Sequence, residues 1–174
     1  MTQQMKDEIV VSIHSFKLPA YQQIPDTGLY LEQVAQYISD YLAPLENIVI
    51  TGSMISNYVK KELISNPIRK QYNREQIAYL IFISIAKMVL SLDDLFLFIQ
   101  LQKRTYGTQK AYDYFCEEFE NVLQYVFGIK DALDTVGTVP VEKSDEKLML
   151  RNMIITAAHK IYLDKCFSRL KKNN

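Results

Sequence analysis

The chain has no tryptophan, two histidines and two cysteines among its 174 residues, so the residue types that most often build metal and redox sites are scarce. Cys116 and Cys166 form no Cys-x-x-Cys pair, and both lie in apolar segments with helical spacing. We therefore expect two buried free thiols, with neither a disulfide nor a metal site. His14 and His159 are far apart in sequence and lack metal-ligand spacing.

Glycine and proline are also rare, with five of each, while leucine, isoleucine and tyrosine are abundant, which favours helices over sheets. No glycine-rich phosphate-binding loop is present, and no Ser, His and Asp set can be specified. The carboxylate pairs Asp93–Asp94 and Glu117–Glu118 are adjacent in sequence, so on a helix the two side chains diverge by about 100°. The sequence predicts a protein that is not an enzyme and needs no cofactor.

An excess of either charge is absent as well, because 20 Lys and Arg balance 20 Asp and Glu. A neutral chain is a poor general nucleic-acid coat, but a specific regulator needs only a local basic patch. The most apolar run, residues 77–90, is too short to span a bilayer and contains Lys87. The first residues lack a signal-peptide pattern. We expect a cytoplasmic protein without a membrane segment.

Helical periodicity dominates the chain and predicts an all-α fold. Asn73 and Gln76 form a capping box before an almost wholly apolar helix, which we interpret as the central core helix. Ser91 and Asp94 form a second capping pair. Residues 1–16 remain ambiguous between a short strand and a docking arm. Further helices are predicted at residues 29–42, 53–63, 92–102, 109–127 and 144–171, with a linker at 129–141.

The predicted helix Ser53–Leu63 has an apolar face and a polar, cationic face without a carboxylate before Glu62. Such a polar face suits the DNA major groove, where Asn pairs with adenine and Lys reaches guanine or phosphate. A solvated helix surface is the alternative interpretation. The predicted base-contacting residues are Ser53, Ser56, Asn57 and Lys60.

The connection after this helix is basic, since residues 50–75 contain five cations and two carboxylates in an otherwise neutral chain. Cations clustered beside a groove-binding helix typically hold the DNA backbone. Tyr58 either joins these contacts or packs beneath the connection, and Tyr72 is expected to pack. The predicted phosphate-contacting residues are Tyr58, Lys61, Arg69, Lys70 and Arg74.

Residues 50–101 resemble the helix-turn-helix of MerR-type transcription regulators, through the order IT…S…I…Y…LI followed by P…K.Y…EQI..L..I...K..LSL.DL. A closer resemblance covers residues 17–101. The strings LPAYQQIPDTGLYLEQV, ITGSMISNYVKKELI, KQYNREQIAYLI and LSLDDL are similar to the bacterial family catalogued as domain of unknown function 1836. The resemblance implies a MerR-like winged domain that binds DNA.

The resemblance and the residues together predict three parts: an N-terminal arm at 1–16, a MerR-like helix-turn-helix domain at 17–101, and a helical C-terminal dimerisation or effector region at 102–174. We expect a transcriptional regulator that binds double-stranded DNA as a homodimer through its last helix. A non-catalytic interaction or structural module that kept the fold but lost DNA binding is the alternative, because Ser56 and Glu62 replace the usual Arg and Gly of MerR proteins and the wing is very short. The aromatic helix 112–127 is expected to pack in a core or dimer seam, with an effector pocket as the alternative.

Overall fold

The structure is a computed structural model that describes residues 1–134 and 145–172. Within these residues the chain is almost entirely helical, as predicted, with two strands of two residues each. The elements in chain order are α1 (Gln3–His14), β1 (Leu29–Tyr30), α2 (Leu31–Leu42), α3 (Gly52–Lys60), β2 (Gln71–Tyr72), α4 (Arg74–Ala86), α5 (Leu92–Thr105), α6 (Thr108–Val126) and α7 (Asp145–Lys172). Short 3₁₀ turns at Tyr21–Gln23 and Ala43–Leu45 lie between them.

Helix α4 is the central helix, as the sequence predicted. Every residue from Gln76 to Ala86 is buried, because helices cover it on all sides. The predicted capping box is present: the Gln76 backbone N–H donates to Asn73 Oδ1 at 2.9 Å, and the Asn73 N–H donates to Gln76 Oε1 at 2.8 Å. The predicted Ser91–Asp94 pair caps α5, with the Asp94 N–H donating to Ser91 Oγ at 3.1 Å.

The N-terminal residues form a helix, so the strand interpretation of residues 1–16 is wrong. The Thr2 hydroxyl caps α1, and Ile9 and Ile13, one helical turn apart, are each 1% exposed. This helix packs against α6 and α7. The β-branched run at residues 9–11 favoured a strand locally, but burial of the i, i+4 pair against two helices outweighs that preference.

The segment after α1 runs extended across α6 and is held there by two carboxylates. The Leu18 N–H donates to Glu120 at 2.9 Å and the Tyr21 N–H donates to Asp113 at 3.2 Å. Helical spacing places these two carboxylates and Glu118 away from the aromatic face of α6, where solvent exposure is expected, but each of the three contacts another segment of the protein. Glu118 is 1% exposed and lies 3.0 Å from the Arg151 Nε of α7.

Helix α7 packs along α6 and also contacts α1, α4 and α5. Several apolar residues at helical spacing along α7 face the protein's own core, including Met153, Ile154, Ala157 and Ile161. Both cysteines are buried free thiols, as expected. Gly128, with φ +69°, ends α6 as predicted. The predicted linker 129–141 and the predicted first residue of α7, Ser144, lie partly or wholly outside the described residues.

Candidate nucleic-acid interface

Helix α3 separates its residues cleanly between core and solvent. Thr51 caps it, accepting the Met54 N–H at 3.3 Å, while Ile55 and Tyr58 are 0% and 3% exposed. Positions three, four and seven apart share one face of a helix, and here that face is polar. The four residues assigned to base contacts are all exposed: Ser53, Ser56, Asn57 and Lys60.

The helix ends three residues earlier than predicted, because the chain turns through a Schellman motif. The Leu63 N–H donates to the Tyr58 carbonyl and the Glu62 N–H to the Val59 carbonyl, both at 3.0 Å. This motif needs a left-handed residue, normally glycine, and Glu62 takes that role with φ +58°. Leu63 still reaches the core, at 0% exposure, as its apolar spacing indicated.

A tight hairpin follows, in which Ile68 and Gln71 pair across a two-residue turn. Their N–H groups donate to each other's carbonyls at 3.1 and 2.9 Å. The turn residues, Arg69 and Lys70, have φ +51° and +66°, so both are left-handed. This turn type normally uses Asn-Gly, and each non-glycine residue in that conformation costs roughly 1–2 kcal/mol. Both cations are exposed.

The base of the hairpin is fixed to the fold at three points. Strand β2 pairs antiparallel with β1, with Gln71 opposite Tyr30 and Tyr72 opposite Leu29. Tyr72 is 4% exposed, so it packs as predicted. On the preceding chain, the buried Gln76 side chain donates to the Ser65 carbonyl at 2.8 Å. The two cations are therefore held on a rigid support.

Two residues assigned to phosphate contacts are engaged inside the protein. Tyr58 is buried, in agreement with the packing alternative, and its burial raises the pKa of the phenol. The Arg74 Nε donates to the Ile24 carbonyl at 2.8 Å, and its Nη1 donates to Gln22 Oε1 at 3.0 Å. The Tyr21 ring lies beneath the guanidinium. Arg74 therefore fastens the 21–26 segment to the start of α4. Lys61, Arg69 and Lys70 remain exposed.

The loop between α2 and α3 is held by cations from two other helices. The Glu46 carboxylate accepts Lys165 Nζ at 2.9 Å and both terminal nitrogens of Arg169 at 2.9 and 3.2 Å. Burial opposes ionisation of Glu46, but the hydrogen bonds from Arg169 and Lys165 outweigh burial and lower its pKa. Lys87, at the end of α4, donates from Nζ to the Val49 carbonyl at 2.7 Å.

These anchors were missed from the sequence, because the partners lie more than a hundred residues apart or bond to backbone carbonyls. One local signal was available for Lys165. It lies on the apolar side of α7, four residues from Ile161, at a position where a solvated lysine does not belong. Its side chain is in fact 0% exposed.

The aromatic face of α6 packs in the core against α4, as expected. Phe115 meets Phe82 at a ring distance of 5.2 Å and stacks on Phe119 at 5.7 Å. A cavity of about 50 Å³ remains among these rings, with Tyr79, Phe98 and Leu150 in its wall. An engineered cavity that binds benzene is about three times as large, so this one is a packing gap in size.

Comparison with known protein families gives a match that includes α3 and the hairpin. The model for the family described as "Domain of unknown function (DUF1836)" matches residues 19–115, which is more than half of the sequence. The chain belongs to the DUF1836 family. The DUF1836 match begins at Pro19 and ends at Phe115 in α6, so it continues past residue 101, where the resemblance in sequence ends. Neither a curated protein nor a solved structure matches the sequence.

Among the described helices, none is long and apolar enough to cross a membrane.

Proposed function

We propose that this DUF1836 protein is a cytoplasmic, DNA-binding transcriptional regulator with a MerR-like winged helix-turn-helix. In this proposal α2 is the support helix, α3 the recognition helix and the 68–71 hairpin the wing. One observation carries the proposal: the four base-contacting candidates are all exposed on α3, while Ile55 and Tyr58 are buried on its other side. A helix anchored by one face and polar on the other is what the major groove accepts.

The chemistry of recognition follows from the exposed groups. The Asn57 amide can bind adenine through two hydrogen bonds: its N–H donates to N7, and its carbonyl oxygen accepts from the N6 amino group. Lys60 supplies a cation for guanine or phosphate. Lys61, Arg69 and Lys70 neutralise phosphates, and Tyr58 and Arg74 act as internal supports for these groups.

A salt titration tests the proposal directly. Binding to a random duplex, measured by fluorescence anisotropy, is expected to weaken steeply as salt rises, because phosphate contacts release counterions. Lys60→Glu is expected to abolish binding while far-UV circular dichroism and Tm stay unchanged. Lys6→Glu, an exposed position on α1 with the same charge change, is the matched control and is expected to bind nearly as the wild type does. Normal binding by Lys60→Glu contradicts the assigned recognition face.

We also propose that the protein acts as a homodimer, since one short helix reads too few bases for useful specificity. The exposed face of α7 is the candidate seam, and the inward packing of that helix leaves it a narrow apolar surface. Its large exposed residues are Leu148, Met149, Leu163 and Phe167. A mass of one chain by light scattering at micromolar concentration contradicts this part of the proposal.

A non-catalytic interaction module is the second candidate, and a groove beside the end of α3 favours it. Leu92, Phe96 and Leu97 of α5 line the groove together with Lys60 and Lys61, and Leu97 is 66% exposed. An exposed apolar residue of this size beside a groove is typical of a protein contact. Duplex binding that is absent or insensitive to salt favours this candidate over the DNA-binding regulator.

A further inference from the structure

The tip of the 68–71 hairpin carries an apolar residue that the DNA-backbone role does not explain. Ile68 is 74% exposed, the largest exposure of any large hydrophobic side chain in residues 1–134 and 145–172. It directly precedes the two left-handed cations, Arg69 and Lys70. A turn that served only to reverse the chain would use Asn-Gly and a polar flank.

The chain around Ile68 carries only positive charge. From Leu63 to Arg74 the sequence has no carboxylate, and three cations lie in that span. Strained conformations at exposed positions persist where the surrounding structure enforces them, and they concentrate at functional sites. Here the enforcement comes from the β1–β2 pairing and the Gln76–Ser65 hydrogen bond.

We infer that this tip enters the minor groove of the bound DNA, where Arg69 reaches the groove floor instead of a phosphate and Ile68 packs against the sugars or a base step. The inference rests on the proposed DNA-binding function and deepens it. The minor groove is about 6 Å wide, which admits side chains from a two-residue tip but not the two-stranded hairpin behind it. Arginine is drawn to the narrow groove of A·T-rich DNA, and apolar side chains act as wedges there.

The consequence is a preference for base pairs that lack the guanine 2-amino group. Inosine·cytosine pairs separate the two grooves, because they present the major-groove edge of G·C and a minor-groove edge like that of A·T. The probes are three duplexes of equal length made of alternating A·T, I·C or G·C pairs. We expect the wild type to bind I·C about fivefold more tightly than G·C, which corresponds to ~1 kcal/mol.

The variants are chosen to keep the hairpin folded. Arg69→Gly removes the cation at a position where glycine is favoured by φ, and Ile68→Ser removes the apolar group. Each is expected to bring the I·C to G·C ratio close to one. Lys61→Ala is the control and is expected to weaken binding to both duplexes by the same factor, leaving the ratio unchanged.

The outcomes separate the two levels of the proposal. If the wild type binds all three duplexes equally, or if its ratio survives both hairpin variants, the minor-groove inference is overturned while the regulator proposal stands. If the wild type binds none of the duplexes at low salt, both fall. Circular dichroism of each variant confirms that a changed ratio does not come from unfolding.

Discussion

Two regions of this molecule are rich in Lys and Arg, but their cations differ in whether they are paired within the protein. In the α3–hairpin region, Lys60, Lys61, Arg69 and Lys70 are exposed, and none belongs to an ion pair in the part of the chain that the structure describes. In α7, four cations are bound within the protein: Arg151 to Glu118, Lys160 to Asp164, and Lys165 and Arg169 to Glu46. The four cations of the α3–hairpin region are available to a partner, whereas these four cations of α7 are already paired. Clustered charge in a sequence therefore indicates an available surface only once the internal partners are known.

The largest effect expected from this comparison comes from Glu46. Glu46→Ala leaves the Lys165 ammonium buried without its carboxylate, so we expect a loss of about 3–5 kcal/mol in the free energy of unfolding. Lys165→Met replaces the buried cation with an apolar side chain of similar length and is expected to change stability by about 1 kcal/mol or less. Urea denaturation measures both. Equal losses for the two variants mean that the buried charge is not what makes Glu46 necessary.

The next effect separates exposed from paired cations through the salt dependence of DNA binding. Lys61→Ala is expected to reduce the slope of log K against log salt by about 0.9 for each chain that contacts DNA, as one phosphate contact is lost. Lys160→Ala, whose ammonium is bound to Asp164, is the control and is expected to leave the slope unchanged. Two variants with the same slope contradict the distinction between the regions.

A smaller effect concerns the left-handed residues Glu62 and Gly128, which follow α3 and α6. The turn after α6 is also a Schellman motif, because the Ile129 N–H donates to the Gln124 carbonyl at 2.8 Å and the Gly128 N–H to the Tyr125 carbonyl at 3.0 Å. Glu62→Gly relieves a left-handed side chain, so we expect stabilisation by up to about 1 kcal/mol. Gly128→Ala has open space around the new methyl group but the same backbone penalty, so we expect a loss of about 1 kcal/mol. Thermal unfolding measures both changes. Glu62→Gln keeps the backbone penalty and removes the charge, so tighter DNA binding by both Glu62 variants identifies charge as the cause.

The smallest effect is the pH dependence of stability, in which two carboxylates act in opposite directions. Hydrogen bonds from Arg169 and Lys165 lower the pKa of Glu46, so its contribution is present above the ordinary carboxyl pKa and is lost as pH falls through the lowered value. Burial raises the pKa of Glu118 despite Arg151, so its protonation favours the folded state and its contribution is lost as pH rises. Unfolding free energies below neutral pH are expected to fall less steeply in Glu46→Ala and more steeply in Glu118→Gln. Parallel profiles for the two variants contradict these assignments.

The parts of the fold that local sequence determines were predictable. The apolar run of α4 and the Asn73–Gln76 and Ser91–Asp94 caps depend on residues a few positions apart, and the structure confirms each of them. Helix α1 was not predictable in this way, since Ile9 and Ile13 gain their stability from α6 and α7. The predicted boundaries at residues 16 and 101 stay a prediction. One contiguous cluster of buried residues runs from Ile9 to Cys166.

The candidate interface also contains features that local sequence predicts and features that depend on distant residues. Spacing within one helix predicted which residues of α3 are exposed, because a helix has a fixed period. It could not predict that Arg74 bonds to the Ile24 carbonyl, fifty residues earlier, or that Asp113 and Glu120 hold the extended segment. The left-handed conformation of Arg69 and Lys70 was also hidden, because neither residue type favours it.

Helix α4 holds the chain around α3 at two places. Near its first turn Gln76 bonds to Ser65, and at its far end Lys87 bonds to Val49, so the stretch 49–65 is bracketed by a rod of about 20 Å. Helix α3 and the 68–71 hairpin therefore form one mechanical unit with α4. A signal from α6 or α7 that changes how this unit meets a partner must tilt or shift α4 as a whole, which makes α4 the element to label when such a motion is sought.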